Sequence, residues 1–549
     1  MATTRQGSIE AAVGPTPSWW PFLVVLICYG AVATQQIALP GIYMDAVNPD
    51  YMAVRVLNRN AQPITLWLLP GNYLFTKVPV LISFYHGSQQ FWLGLPFFWL
   101  FGTSVTGLRL THAIFALGLL ATLYALLVRH DIKPWQAALA CAALAIDPGF
   151  SYAFRTQSYI TLAPCAWLFL SLYALRRAAQ ANSGWSKWIF ASGMFYGWSI
   201  VGYFIYAFFL PAMLLALHTW RPPAMGVRRM WVLAAAGLAL GAIFYPLGYL
   251  LAVVELGGVT EAWNYFQQTQ KALKAFSDQP EFSARLAHLM ATIDSVFQNW
   301  YHHTLIFGEG KSVPGGALKY AILLWGPLVL WLHAEWRRQS PALLRVLIAM
   351  VVSFVAIALM FGTRLSGHHF MVLLPLSYAA LVAGLHLSRS INPNSRQSVW
   401  IMLTPFVALA AINLVGQISE ARSLRDSRGV GLYSDAIAQL AVDLDTAKKR
   451  PFVYFPDWGL SMPVAFLTGG RVGMDSDVNV DHARNMLCNG RDVAIAAITG
   501  DRAQRIAAWQ QSLNWGAPSR KQYTQGDGKV AFEIATFFGQ SDNPDCQIK

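Results

Sequence analysis

The stretch Leu108-Arg-Leu-Thr-His-Ala-Ile-Phe-Ala-Leu-Gly-Leu-Leu-Ala-Thr-Leu-Tyr-Ala-Leu-Leu-Val128 holds one charge near its start, and Arg129 and Lys133 follow it closely. An apolar run of roughly 20 residues matches the hydrocarbon core of a bilayer, and a basic cluster at one end marks the cytoplasmic side. The pattern recurs along the chain. Further runs lie near 19–39, 134–147, 159–175, 188–201, 203–219, 230–252, 317–333, 341–360, 368–388 and 399–416. Together they predict a polytopic α-helical membrane protein of about eleven spans. The first run follows a polar leader with one Arg and no small-residue cleavage site, so it reads as a retained helix.

Composition agrees. Of 549 residues 55% are hydrophobic and only 12% are charged, against about 25% charged in a soluble chain. That shortfall excludes a disordered chain, a fibrous repeat and an ordinary cytosolic enzyme. The net charge of +13 would suggest nucleic acid in a soluble protein. Here the basic residues sit in short clusters between apolar runs, so membrane orientation explains them and no nucleic-acid partner is expected.

Placing the N-terminus inside puts Arg5, Arg129, Lys133, Arg176, Arg177, Lys187, Arg221, Arg228, Arg229, Arg337, Arg338, Arg345, Arg389 and Arg396 on the cytoplasmic side. The outer loops at 40–90, 147–158 and 361–367 then hold only Arg55, Arg59, Lys77, Arg155 and Arg364, while the loop at 254–316 adds Lys271, Lys274, Arg285 and Lys311 but is long enough to count for little. An odd number of spans leaves the tail outside. Two outer loops are long, 40–107 and 254–316. The first carries an amphipathic segment at 91–101 that is expected to lie along the interface. The second is expected to be partly helical, at 261–276 and 283–300.

From about Glu420 onward the composition changes. Phe452-Val-Tyr-Phe455, 493–499 and 529–537 read as strands, with helices at 434–448, 459–468 and 501–513 between them. The expected organisation is a membrane domain over 1–418 followed by a small extracytoplasmic α/β domain over 419–549. Cys28, Cys141 and Cys165 fall in spans, where they pack as small hydrophobes. Cys488 and Cys546 fall in the tail and are expected to pair in an oxidising compartment. No Cys or His spacing matches a structural zinc site.

Chemistry is expected where polar residues meet the outer ends of spans, because charge at membrane depth is costly and tends to be functional. The first such place is Tyr43-Met-Asp45-Ala-Val-Asn-Pro-Asp50-Tyr. A carboxylate there suits a general base, although Asn-Pro-Asp is also turn chemistry. Arg155 is a lone cation in a short outer loop. It reads either as a phosphate contact or as a snorkelling side chain. The late cluster Gly362-Thr-Arg364-Leu-Ser-Gly-His368-His369 joins two outer span ends. Tyr301-His302-His303 with Glu309 reads either as a lid or as loop surface.

The order of parts around these residues is recognisable. Lys77-Val-Pro and Tyr85-His86-Gly-Ser-Gln-Gln-Phe-Trp92-Leu-Gly-Leu-Pro96 precede the turn Phe101-Gly-Thr-Ser104 and the span-opening Leu108-Arg109-Leu. Ala145-Ile-Asp147-Pro-Gly-Phe-Ser-Tyr-Ala-Phe-Arg155-Thr-Gln157 follows, and the next span ends at Arg176-Arg177. Over about 40–175, and more weakly to about 416, this resembles the GT-C membrane glycosyltransferases. The likeness is to the bacterial family 39 relatives of protein O-mannosyltransferases and aminoarabinose transferases.

The resemblance implies a GT-C fold and inverting transfer of a sugar from a polyprenyl-phosphate donor. Asp45 matches the first-loop catalytic acid, with Asp50 as a competing alignment. The usual Asp-Glu pair is absent, since Ala46 follows Asp45. A second acid is often found in the loop 147–158, where Gln157 and Ser158 stand instead, and Asp147 is either its substitute or a helix end. Arg155, Arg364, His368 and His369 are the implied donor phosphate contacts, and Tyr43, Lys77 and His86 the implied substrate contacts. A lipid phosphate is already an activated leaving group, so a metal is not obligatory; no cofactor is firmly expected, and a divalent metal stays open. The implied location is a bacterial inner membrane, with the site facing the periplasm or exterior. The acceptor is a protein, a lipid or a glycan. A transporter or flippase of a lipid-linked sugar, or a noncatalytic scaffold of envelope glycan assembly, stays as the alternative.

Overall fold

In the computed structural model the apolar runs are helices throughout. The structure describes residues 18–541 and 546, apart from 63, 66–79, 84, 224, 273–279, 392–395, 458, 477 and 499–500. Every expected span falls on one or more helices. Among the described residues, five helices are long and apolar enough to cross a membrane alone: Val105–Arg129, Gly316–Trp336, Ala342–Arg364, Gly367–His386 and Val399–Ser427. Two bent pairs raise this to seven, Pro134–Ala145 with Pro148–Thr156 (56°) and Val227–Gly241 with Phe244–Leu256 (42°).

The expected count of about eleven is therefore not reached by length and composition. At 1.5 Å per residue, 13 residues span about 20 Å, short of a hydrocarbon core of about 30 Å. Phe22–Thr34, with 13 residues, falls in that class. The chain is a multi-pass membrane protein. One continuous core joins Val25 and Tyr29 of the first helix to Leu119, Leu123, Cys141, Leu168, Leu347, Tyr378 and Phe406.

The first outer loop is structured. It holds a short helix at Met44–Val47, a 3-10 turn at Asp50–Met52 and a helix at Ala53–Leu57. Two strands follow, β1 (Ile64–Thr65) and β2 (Leu81–Ser83), and β2 pairs antiparallel with β3 (His86–Gly87). The helix Gln89–Phe101 turns Phe91 and Phe98 inward, while Trp99 is 78% exposed, as suits an interfacial segment. The second loop is helical at Val259–Ala272, Phe282–Phe297 and Trp300–Phe307.

In the tail, the strands expected from sequence appear as β4 (Phe452–Tyr454), β6 (Val493–Ala497) and β8 (Val530–Phe537). The helices are Ala436–Thr446, Ser461–Leu467 and Arg502–Leu513. Sequence reading missed β5 (Met474–Asp475), β7 (Ser519–Thr524) and the helix Val480–Cys488. The sheet order is β1-β5-β4-β6-β8-β7. Pairing is parallel from β1 through β6 and antiparallel beyond it. One edge strand, β1, belongs to the first outer loop, so loop and tail share a sheet. Cys488 and Cys546 form a disulfide.

Candidate active site

Two buried arginines set the start of the first loop. Arg109 donates from Nη1 to Ile37 O (2.9 Å) and from Nη2 to Pro40 O (2.6 Å). Arg155 donates from Nη1 to Leu39 O (3.1 Å) and from Nη2 to Gln35 O (2.6 Å) and Val32 O (3.3 Å). The last carbonyls of a helix have no partner within it, and the guanidinium supplies several fixed donors. Arg155 thus caps the helix Phe22–Thr34, and this is where the structure puts a residue expected on a phosphate. From the tail side, Gly41 N–H donates to Tyr433 O (2.8 Å). A Cβ on Gly41 would lie 2.0 Å from Ser434 O, so only glycine admits this contact.

Asp45 follows on Met44–Val47 and is half-buried. Gln157 Nε2 donates to Asp45 Oδ2 (2.9 Å), and Gln157 Oε1 accepts from Tyr301 OH (3.2 Å). The Tyr301 hydroxyl lies 2.9 Å from His368 Nδ1, which also meets Ser366 Oγ at 2.9 Å. Tyr203 OH lies 3.2 Å from His369 Nε2. The His86 and Tyr85 rings pack on Tyr203, at 5.5 and 6.0 Å between centroids. A hydrogen-bonded chain therefore links the first-loop acid to the late histidine cluster.

Electrostatics mark the same centre. Burial raises the Asp45 carboxyl above its ordinary value, and the Gln157 amide opposes the rise. Burial, and then the Asp45 charge, raise the hydroxyls of Tyr43, Tyr85, Tyr301 and Tyr433. The carboxylate is ringed by tyrosines from four separate segments. Burial pushes His86 down to about 3, so its imidazole is neutral near pH 7.

The other expected residues go elsewhere or farther out. Asp50 is wholly buried, with its Oδ2 2.7 Å from His112 Nε2. Arg364 is half-buried at the end of the 3-10 turn Gly362–Arg364, two residues before Ser366. Lys77 lies outside the described residues. Asp147 caps the helix Pro148–Thr156 through Gly149 N–H (2.8 Å) and accepts from Lys319 Nζ (2.6 Å) and Tyr378 OH (2.9 Å). Lys319 also donates to Asn299 Oδ1 (2.7 Å), and this whole cluster is buried.

Tyr301-His302-His303 is neither a lid nor loop surface. It is a packed helix in which His303 Nδ1 meets Glu420 at 3.0 Å and His302 Nδ1 meets Thr156 Oγ1 at 3.2 Å. Tyr203, Ser366 and Tyr433 were missed from sequence. Each is an unremarkable residue there, and the chain brings them in from far apart.

Among the described residues no group of three or more metal-ligating side chains converges. Asp45 meets the amide nitrogen of Gln157 and not a second carboxylate.

Residues 87–249 match the family model described as dolichyl-phosphate-mannose-protein mannosyltransferase. Arg109, Arg155, Gln157 and Tyr203 lie inside that segment, while Asp45 lies outside it. No curated protein matches the sequence. The structure resembles ArnT from Cupriavidus metallidurans bound to undecaprenyl phosphate, with a TM-score of 0.57 and 14% identity over 96% of this chain and 99% of that one. Against apo ArnT from the same organism the TM-score is 0.56, with 14% identity over 95% and 98% of the two chains. The likeness extends through the outer loops and the tail, and the chain has the GT-C fold of the membrane glycosyltransferases related to ArnT and the protein mannosyltransferases.

Proposed function

We propose that this protein is an inverting glycosyltransferase that moves a sugar from a polyprenyl-phosphate donor to an acceptor at the outer face of the membrane. One observation carries the reading. The half-open Asp45 carboxylate stands among tyrosines and neutral imidazoles where span ends meet two outer loops and the tail. Aromatic faces suit a sugar, and the long apolar helices beside them suit a polyprenyl chain. That ArnT was solved with undecaprenyl phosphate supports the donor class.

In the proposed reaction, Asp45 takes the proton of an acceptor hydroxyl or amine as that atom attacks the anomeric carbon. The bond between that carbon and the phosphate oxygen breaks, and the lipid phosphate leaves with the electron pair. N–H groups of His368 and His369, with the Tyr301 hydroxyl, receive the developing negative charge, and Arg364 stands on the donor side. Fixed donors in a water-poor site stabilise such charge more strongly than water does. Tyr43 and His86 flank the sugar, and the buried Arg155 holds the loop.

The same reading places the membrane domain at 1–418 and the tail at 419–549, facing the periplasm or exterior of a bacterial inner membrane. The acceptor, whether protein, lipid or glycan, approaches between the first loop and the tail.

The test is transfer of radiolabelled sugar from purified polyprenyl-phosphate donors by wild type and Asp45→Asn. Loss of about 10²–10⁴-fold in the variant, with folding intact, is expected for a general base. Undiminished transfer in the variant would move the base elsewhere. A folded wild type that transfers nothing from any donor would favour a transporter or a scaffold.

A further inference from the structure

The second carboxylate of the first loop stands in a network of its own. Asp50 and Ser158 are 0% exposed, His112 is 1% and Gln90 is 2%. His112 Nε2 lies 2.7 Å from Asp50 Oδ2, and its Nδ1 lies 3.1 Å from Phe154 O. A carbonyl only accepts, so Nδ1 carries a hydrogen. A further proton then lies between Nε2 and the carboxylate, and the pair is neutral overall whichever atom holds it. Gln90 Nε2 donates to Asp50 Oδ2 (2.8 Å) and Ser158 Oγ (3.0 Å), and Ser158 Oγ lies 3.2 Å from His112 Nε2. With no exposed surface, Asp50 has no path to an incoming acceptor.

Its place in the chain suggests what it does. Arg109 and His112 are three residues apart on the helix Val105–Arg129, so they share one face. Arg109 holds the carbonyls of Pro40 and Gly41 (2.6 and 3.3 Å), five and four residues before Asp45. His112 holds Asp50, five residues after it. One helix face thus grips the loop on both sides of the candidate base. The neighbours Gln157 and Ser158 divide the same work, since Gln157 donates to Asp45 while Ser158 touches His112.

We propose that Asp50 and His112 form a buried positioning pair, the second anchor of the loop that presents Asp45, and that Asp50 is not an alternative base. The inference rests on Asp45 as the base, and it deepens the proposed function by dividing the two carboxylates between two roles.

The test uses the full-length protein in detergent, comparing wild type, Asp45→Asn, Asp50→Asn and His112→Gln, with the last standing in should Asp50→Asn fail to fold. Two readouts are taken: amide hydrogen exchange over 41–48 and steady-state transfer. Freeing the anchor should speed exchange over 41–48 by about tenfold without matching change in the bundle helices. It should also lower kcat by about 10- to 100-fold, as expected of a displaced catalytic group, with donor KM within about threefold. The double variant Asp50→Asn with His112→Gln should lose no more than the worse of those two single variants, because both substitutions release one anchor. Exchange over 41–48 that stays at the wild-type level overturns the proposal, as does a loss expressed wholly in KM. Transfer lost in Asp50→Asn but kept in Asp45→Asn would exchange the two roles and also overturns it. If wild type transfers nothing, the proposed function falls, and the exchange measurement still decides whether the pair anchors the loop.

Discussion

In the proposed reaction Asp45 is the residue on which the chemistry turns, and its surroundings give it a testable pH signature. Its carboxyl is raised above the ordinary 3.8 by burial, with Gln157 opposing. A raised value means the base is still protonated at pH values where a free carboxylate is already charged. Activity should therefore fall as pH falls, with an acid limb above the ordinary carboxylate range. Gln157→Leu should move that limb higher still, because the N–H that favours the charged form is lost. A pH–rate profile checks both, and a limb at or below the ordinary value would remove Asp45 from the role. Gly459 offers a second test at this scale. Its φ is +92°, and a Cβ there would lie 2.1 Å from the Tyr43 ring. Gly459→Ala should cost about 1–3 kcal/mol through strain and overpacking, seen as a lower melting temperature, and should displace Tyr43 beside Asp45.

At the scale of elements, buried polar clusters hold the bundle where its helices break. The bend between Pro134–Ala145 and Pro148–Thr156 is seated by Asp147, which joins Lys319 on one helix and Tyr378 on another. Tyr378 in turn accepts from Asn413 Nδ2 (2.8 Å), which brings in the helix Arg396–Ser427. Breaking such a pair leaves a lone buried charge, whereas removing both charges does not. Lys319→Met should destabilise by about 3–5 kcal/mol. Adding Asp147→Asn should recover most of that loss, since asparagine keeps the cap to Gly149. Thermal unfolding of the single and double variants would show it, and equal damage in both would mean that the charge pairing is not what matters. Arg155 makes a related point about elements. Its standing as a lone cation between apolar runs was legible, but the structure sets it on the helix Pro148–Thr156 and not in a loop, and its partners are carbonyls at and just beyond the end of the first helix, more than a hundred residues away.

For the whole molecule, the tail is tied to the membrane domain through the shared sheet, the contact of Gly41 with Tyr433 and the packing of Tyr43 against Tyr433 at 5.7 Å. The tail therefore forms one wall of the Asp45 site. The Cys488–Cys546 disulfide spans 58 residues, and closing a loop of that size in the unfolded chain is worth about 4 kcal/mol in the chain-entropy view. Cys488→Ala, or reduction, should lower the unfolding temperature of the tail while the bundle core holds. A membrane-impermeant protease or label applied to intact spheroplasts should reach the tail. Protection of the tail from such reagents would reverse the proposed orientation.

The sequence by itself determined a multi-pass helical chain, the strand-and-helix alternation of its tail and the candidacy of Asp45. These follow from local regularities: apolar runs long enough for a bilayer, alternation over a few residues, and an acid directly beyond a span end. The resemblance to GT-C transferases lay equally in the order of motifs along the chain. Only the tertiary structure decided which side chains serve that acid. Gln157, Tyr301, His368, Tyr203 and Tyr433 belong to five separate segments, and no local spacing signals their convergence. The same holds for Arg155, Asp50 and Asp147, whose roles depend on partners set by helix packing. Burial and partner choice are properties of the packed chain, so acids that look alike in the sequence take up different partners according to what surrounds them.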